Sequence, residues 1–387
     1  MINNYIYLDN SATSQPDPLV VKAMLPYYIE QYAVASSQFS HTPGIKAREG
    51  LDQARQIISE KLNAESESVI FTSGGTESNN LALKGTTWAN QDKKNHLVVS
   101  KIVHNSILHS ARWLEKQGFK VTYLDVDDQG FIDPDDVKNT ITDQTILVSV
   151  QHANHEVGTI QPIQEIARIC QAAGTLFHLD ACRSFTLIDL DLQRLPADLV
   201  SISAHLIHGP KGVGALYIRP GTKIQKWQHG GYHEFDKRAG TENVPGVVGF
   251  GKAVELAQKE HLDYIRSLQK QLMNGLTQGI QDMVINGPVD LEKRHPGNVN
   301  VSFSRIEGES VVLHLDMKGI AVITGSACFS RSLEPSYVMM AMGFSHERAH
   351  GSIRFTLSRF NQDSEIGRVI QSCKEVVETL RKISPLQ

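Results

Sequence analysis

The feature that most narrows the possible folds is an alternation. Between about residue 69 and residue 219, short apolar runs rich in β-branched residues alternate with stretches of helical period such as 163–173. The runs fall at 69–72, 96–100, 121–124, 145–150, 175–179, 199–202 and 215–218. Strand and helix in alternation predict an α/β fold, a mostly parallel sheet wrapped by helices. Such sheets take ligands at the carboxyl ends of their strands. Residues 1–15 read as an extended arm with a polar turn, and 18–33, 44–62 and 251–282 as helices. After about residue 262 the texture changes, through segments at 298–302, 308–317 and 321–324, to two helices at 335–342 and 363–382. The expected organisation is a large α/β domain over 16–262 and a small α+β domain made of 1–15 and 263–387.

Composition removes several classes of function. The chain has 38 basic and 42 acidic residues, a net charge of −4, which speaks against a general nucleic-acid or membrane-surface binder. No apolar run is long enough to cross a bilayer, and the N-terminal stretch has neither the basic start nor the apolar centre of a signal peptide. The four cysteines, Cys170, Cys182, Cys328 and Cys373, are scattered. That usage predicts separate thiols in a reducing compartment, hence a cytoplasmic protein, and no zinc site or disulfide framework.

Polar motifs sit where the strands end. Ser73-Gly74-Gly75-Thr76-Glu77 follows one strand and opens a helix. Glycines permit close backbone approach, and a helix N-terminus offers free N–H groups to an anion, although such a turn is also an ordinary helix cap. His104 follows the strand at 96–100, and Asp180 ends the strand at 175–179 with Arg183 three residues on. The segment His152-Ala153-Asn154-His155-Glu156-Val157-Gly158 follows another. Between two apolar runs lies Ser203-Ala204-His205-Leu206-Ile207-His208-Gly209-Pro210-Lys211-Gly212, a dense set of polar groups and glycines. Further on come Arg238-Ala239-Gly240-Thr241, then Gly325-Ser326-Ala327-Cys328-Phe329-Ser330-Arg331, then Ser352-Ile353-Arg354-Phe355. Small residues around Cys328 suit an exposed thiol, and Arg331 nearby favours its thiolate form.

Together these motifs resemble the cysteine desulfurases, class V aminotransferase-like proteins that use pyridoxal phosphate. The likeness runs from Tyr7 to about Phe360 and implies the fold-type I architecture of pyridoxal-phosphate transferases. It implies a cofactor set of Thr76, Ser203 and His205 at the phosphate, Asp180 at the ring nitrogen and His104 on the ring face. Asn154 would contact the ring oxygen and the substrate carboxylate, and Arg354 would clamp that carboxylate. Thr241 would reach the phosphate of the other subunit in a homodimer, and Cys328 would be the sulfur-accepting thiol. Arg183 stands where the family has a glutamine beside the ring hydroxyl. It would pair with a ring oxygen or with Asp180, or fill the cofactor space.

One departure outweighs the rest. The family pattern Ser-x-His-Lys places its Schiff-base lysine where this chain has Leu206. Leucine offers no nucleophile and no base, and Lys211 matches a second family lysine with a separate role. Val103, Tyr232 and Asp236 also depart from the pattern on the cofactor side. The expectation is therefore a desulfurase homologue in iron–sulfur cluster assembly with impaired activity. Pyridoxal phosphate would be absent or non-covalent. Cys328 would act as persulfide carrier or iron ligand, in a cluster shared with a U-type scaffold protein. The alternatives are a slow or engineered desulfurase that still binds the cofactor, or a lyase acting on another amino acid on the same fold.

Overall fold

The computed structural model describes residues 5–325 and 335–384. Its strands, in chain order, are β1 Ile6–Tyr7, β2 Val69–Thr72, β3 His96–Ser100, β4 Lys120–Leu124, β5 Thr145–Gln151, β6 Leu176–Asp180, β7 Leu199–Ser203, β8 Gly214–Ile218, β9 Met283–Ile285, β10 Asn298–Phe303, β11 Ile320–Ala321 and β12 Ser352–Thr356. Seven of them form one sheet in the order β2-β8-β7-β6-β5-β3-β4. Only the β8 pairings are antiparallel, so the sheet is mostly parallel, as the alternation predicts. Apolar cores cover both of its faces. A third core joins Ile6 and Leu8 to Ile265, Val299, Phe355 and Val377, around the antiparallel sheet β12-β10-β9.

Two helices differ from the sequence reading. The stretch at 18–33 is two short helices, Pro18–Met24 and Pro26–Ile29, because Pro26 has no N–H to continue the ladder. The helix expected at 251–282 is instead Val244–Glu255, capped by the Asn243 side chain, and Lys259–Gly279. Gln258 between them is extended, with φ −108° and ψ 155°. It carries the chain from the helices over the large sheet to those over the small one.

The exposed edge of β2 is closed by a buried ion pair. Arg55 and Glu234 face each other with both N–O distances at 2.8 Å. Glu234 also accepts from the Phe71 N–H at 2.7 Å, and Arg55 donates to the Val69 carbonyl. A ladder edge that would otherwise be free is thereby satisfied. The pair holds three consecutive left-handed residues, Glu234, Phe235 and Asp236, with φ of 45°, 52° and 59°. Breaking one side of such a pair costs about 3–5 kcal/mol, since the other charge is left buried.

The sheet interior contains a histidine. His178 in β6 lies 2.8 Å from Ser149 Oγ of β5 through Nδ1 and 3.0 Å from Ser201 Oγ of β7 through Nε2. Burial pushes its pKa down to about 4, and it does the same to His152. The unfolded chain takes up a proton on each near pH 6.5, while the folded one resists to about pH 4. Stability is therefore complete above that upper value and is lost as pH falls toward the lower one. At pH 5 the pair together costs on the order of 4 kcal/mol. Glu156, raised to about 7 by burial, acts in the opposite sense. We expect the thermal midpoint of His178→Gln to fall less than that of the parent between pH 7.5 and pH 5, by a few degrees, in scanning calorimetry. Equal falls would show that His178 is not a source of the acid lability.

Candidate functional site

The carboxyl ends of β2, β5, β6 and β7 open on one cavity of about 470 Å³. Its anion-binding end is made by the chain leaving β2. Gly74 has φ +146°, a conformation that L side chains rarely adopt, and a Cβ at Gly75 would lie 2.5 Å from Cys182 Sγ. The helix opening at Gly75 runs through a π turn at Leu81–Gly85 to Asn90 and aims its first N–H groups at the cavity end. Gly214, paired with both Thr72 and Ser203, lets this turn pass: a Cβ there would sit 2.7 Å from Gly74 Cα. Thr76, Ser203 and His205 line this end. The Ser203 hydroxyl is buried without a hydrogen-bond partner, an oxygen that a ligand would satisfy. Burial lowers His205 to about 4, so its ring is neutral.

Asp180 lies at the end of β6, 2% exposed. One oxygen accepts from Asn79 Nδ2 at 3.0 Å and the other from the Cys182 N–H at 3.0 Å. Asn79 Nδ2 also donates to Ser106 Oγ at 2.8 Å, and Ser106 Oγ lies 2.8 Å from His104 Nδ1. A polar chain thus joins the carboxylate to the imidazole across the cavity wall. Burial lowers the His104 pKa, and the charge of Arg183 nearby adds to the effect. Sequence reasoning missed Asn79, Ser106 and Gln151, which also line the cavity. The signal for Asn79 was its position one helical turn after Thr76.

Arg183 lines the cavity with Nη1 held by Ser11 Oγ at 2.8 Å, and burial lowers its pKa to about 10. It does not pair with Asp180. Leu206 and Lys211 are also on the wall, Lys211 at the exposed rim. Asn154 and Arg354 are not brought to the cavity. Asn154 Nδ2 donates to the Ile102 carbonyl at 2.9 Å, and its Oδ1 accepts from the N–H groups of Glu156 and Val157. Arg354 donates to the His155 carbonyl at 2.8 Å and to Asp9 at 2.9 Å. Val103 is buried, and its carbonyl accepts from Tyr337 Oη at 2.7 Å.

Thr241 is exposed on a separate cavity of about 110 Å³, which shares Ser73 and Gly212 with the main one. Its loop is tied to the anion-binding turn by Arg238, which donates to Glu77 at 2.9 Å. Burial alone would raise the Glu77 pKa, but the hydrogen bonds from Arg238 and Ser73 hold it below its ordinary value. Tyr232 in the same loop is exposed, and Asp236 pairs with Lys226. Cys328 and Arg331 lie outside the described residues. Cys170, Cys182 and Cys373 are buried, and burial raises all three thiols, Cys170 and Cys373 to about 12. Among the described residues no cluster of three metal-ligating side chains occurs, and no helix is long and apolar enough to cross a membrane.

The residues present fit pyridoxal phosphate. A glycine cradle and an unsatisfied hydroxyl stand at one end and a carboxylate at the other, and an apolar side chain lies at Leu206. A hydrogen bond to a charged group is worth about 1.5–3 kcal/mol. Ser203→Ala should therefore weaken pyridoxal phosphate binding by roughly 10- to 100-fold in equilibrium dialysis, with an unchanged thermal midpoint. Unchanged affinity would place the phosphate elsewhere.

Comparison with known proteins agrees with the fold. The family profile "Aminotransferase class-V" matches residues 6–369. A "Cysteine desulfurase IscS" of Clostridium botulinum is 46% identical over 388 aligned positions, covering 100% of this chain and 97% of that protein. A solved "NifS-like protein" superposes with a TM-score of 0.90 at 34% identity, covering 97% of this chain and 100% of the other. A structure described as "SspA in complex with cysteine" has a TM-score of 0.82 at 32% identity, covering 92% of this chain and 99% of the other.

Proposed function

The chain belongs to the aminotransferase class-V family and, within it, to the cysteine desulfurases, and from that premise we propose that it serves iron–sulfur cluster assembly without the family's covalently held cofactor. Cys328 is the working group in this reading. It carries sulfur as a persulfide, or ligates iron in a cluster shared with a U-type scaffold protein. The observation that supports this is Leu206 on the cavity wall. A leucine there supplies neither the covalent link nor the proton acceptor, and loss of a general base alone costs roughly 10²–10⁴ in rate. The other three thiols are buried and raised, which makes them poor nucleophiles and supports the choice of Cys328.

When bound, pyridoxal phosphate supplies an electron-withdrawing ring. Thr76, Ser203 and His205 would hold the phosphate, Asp180 would pair with the ring nitrogen, and His104 would lie on the ring face. The protein acts as a cytoplasmic homodimer that needs neither nucleic acid nor membrane. Exposed apolar side chains at Leu25, Tyr28, Ile29, Tyr32 and Phe39, the last 92% exposed, support a covered face. Exposed Thr241 is then available to the second copy. A second reading is favoured by the intact Asp180 and the unsatisfied Ser203 hydroxyl. In it the protein is a slow desulfurase, natural or altered at residue 206, that converts L-cysteine to L-alanine and an enzyme persulfide.

The test is the iron–sulfur content of the scaffold complex, purified without oxygen, for Cys328→Ser, Cys170→Ser and Cys182→Ser. Only the Cys328 variant should lose cluster or form it several-fold more slowly, with fold and dimer intact. Equal cluster in all three removes the thiol from the function. Borohydride treatment of cofactor-loaded protein should add no mass. A stable adduct on any lysine, Lys211 included, together with sulfide release from cysteine, would establish the second reading instead.

A further inference from the structure

Arg183 makes no ion pair among the described residues, and the carboxylates of Asp180 and Asp9 act on it only at longer range. Among the described residues its one side-chain hydrogen bond goes from Nη1 to the neutral Ser11 hydroxyl, which fixes one end of the guanidinium, and the side chain lines the cavity. An enclosed charge without a partner is costly, so such a site favours an anion. Guanidinium geometry suits a carboxylate in particular, through two parallel N–H donors.

Arg354 gives its two Nη atoms to Asp9 and to the His155 carbonyl while its Nε is buried without a partner, and the Asn154 amide is used on both its nitrogen and its oxygen. Neither side chain lines the cavity. Arg183 and Leu206, by contrast, line both the main cavity and an adjoining one of about 60 Å³, so together they form the wall between the two. A ligand whose phosphate occupies the Gly74–Gly75 end would meet a cation and an apolar side chain together at this wall.

We propose that Arg183, not Arg354, receives the carboxylate of an amino acid joined to a pyridoxyl phosphate, and that the cavity selects this carboxylate-bearing ligand without forming a covalent bond to it. This inference rests on the reading of the cavity as a pyridoxyl-phosphate site.

The probes are N-phosphopyridoxyl-L-alanine, a stable secondary amine, and pyridoxamine phosphate, which shares its ring and phosphate and lacks the carboxylate. Both are titrated into the full-length protein by calorimetry. The parent should bind the first at least about tenfold more tightly, the scale of one charge-assisted bidentate contact. Arg183→Gln should reduce that preference to under about threefold while binding pyridoxamine phosphate at least as well as before. Arg183→Lys should restore part of the preference, because it keeps the charge and loses the fork. A preference retained in Arg183→Gln overturns the assignment, and a preference lost in Arg354→Gln alone returns the role to Arg354. Binding of neither probe to the parent refutes the pyridoxyl-phosphate reading itself, a result distinct from equal binding of both, which refutes only the role of Arg183.

Discussion

The Asp180 carboxylate is the group on which the site depends. A carboxylate 2% exposed at the end of a central strand is tolerable only when its oxygens are hydrogen-bonded. Its two partners come from different elements. Asn79 belongs to the helix that opens at Gly75, and the Cys182 N–H belongs to the turn leaving β6. Satisfying one buried charge therefore fixes that helix, and with it the free N–H groups at its start, against the sheet. It also fixes the turn from which Arg183 projects. The anion-binding end and the guanidinium wall are positioned by the same interaction.

The charge balance around the cavity follows from burial. His104 has a lowered pKa and His205 titrates near 4, so at neutral pH their rings add no charge. Glu77 is neutralised by Arg238 from the neighbouring loop. The remaining charged groups on the wall are Asp180 against Arg183 and Lys211, one carboxylate and two cations. The surplus is positive, which agrees with a cavity built for a phosphate or a carboxylate. A covalent lysine at residue 206 would have added a further amine. Leucine adds apolar surface to the wall instead.

Much of this was legible in the sequence, because the strands announce themselves by short β-branched runs. All seven candidate runs of the large sheet correspond to observed strands within one or two residues. The cavity-facing positions of Thr76, His104, Asp180, Ser203 and His205 follow from the rule that parallel sheets bind ligands where strands end. Other features were not legible, for identifiable reasons. The break at Leu256 and Gln258 carries no glycine or proline to mark a helix end, so residue types alone give one long helix. Arg55 and Glu234 are 179 residues apart in sequence, and nothing local marks either as buried. Asn154 and Arg354 match motifs at the right places in the chain, but hydrogen bonds to Ile102, His155 and Asp9 turn them into the protein. A motif places a residue along the chain; the acceptors that surround it decide which way its donors point.

That distinction separates the two kinds of polar group at this site. Asn154 and the Nη atoms of Arg354 have partners within the fold, while Arg354 Nε is buried without one. The Ser203 hydroxyl has no partner, and Arg183 makes no ion pair among the described residues. Native structures leave few buried polar groups unsatisfied, and those that remain concentrate where a ligand completes them. These two stand on the wall of one cavity, the hydroxyl at the end formed by β7 and the guanidinium beside Leu206. An anion at one of them alone would leave the other unsatisfied. A ligand that carries a phosphate and a second anionic group satisfies both, and it does so without the covalent bond that Leu206 cannot make.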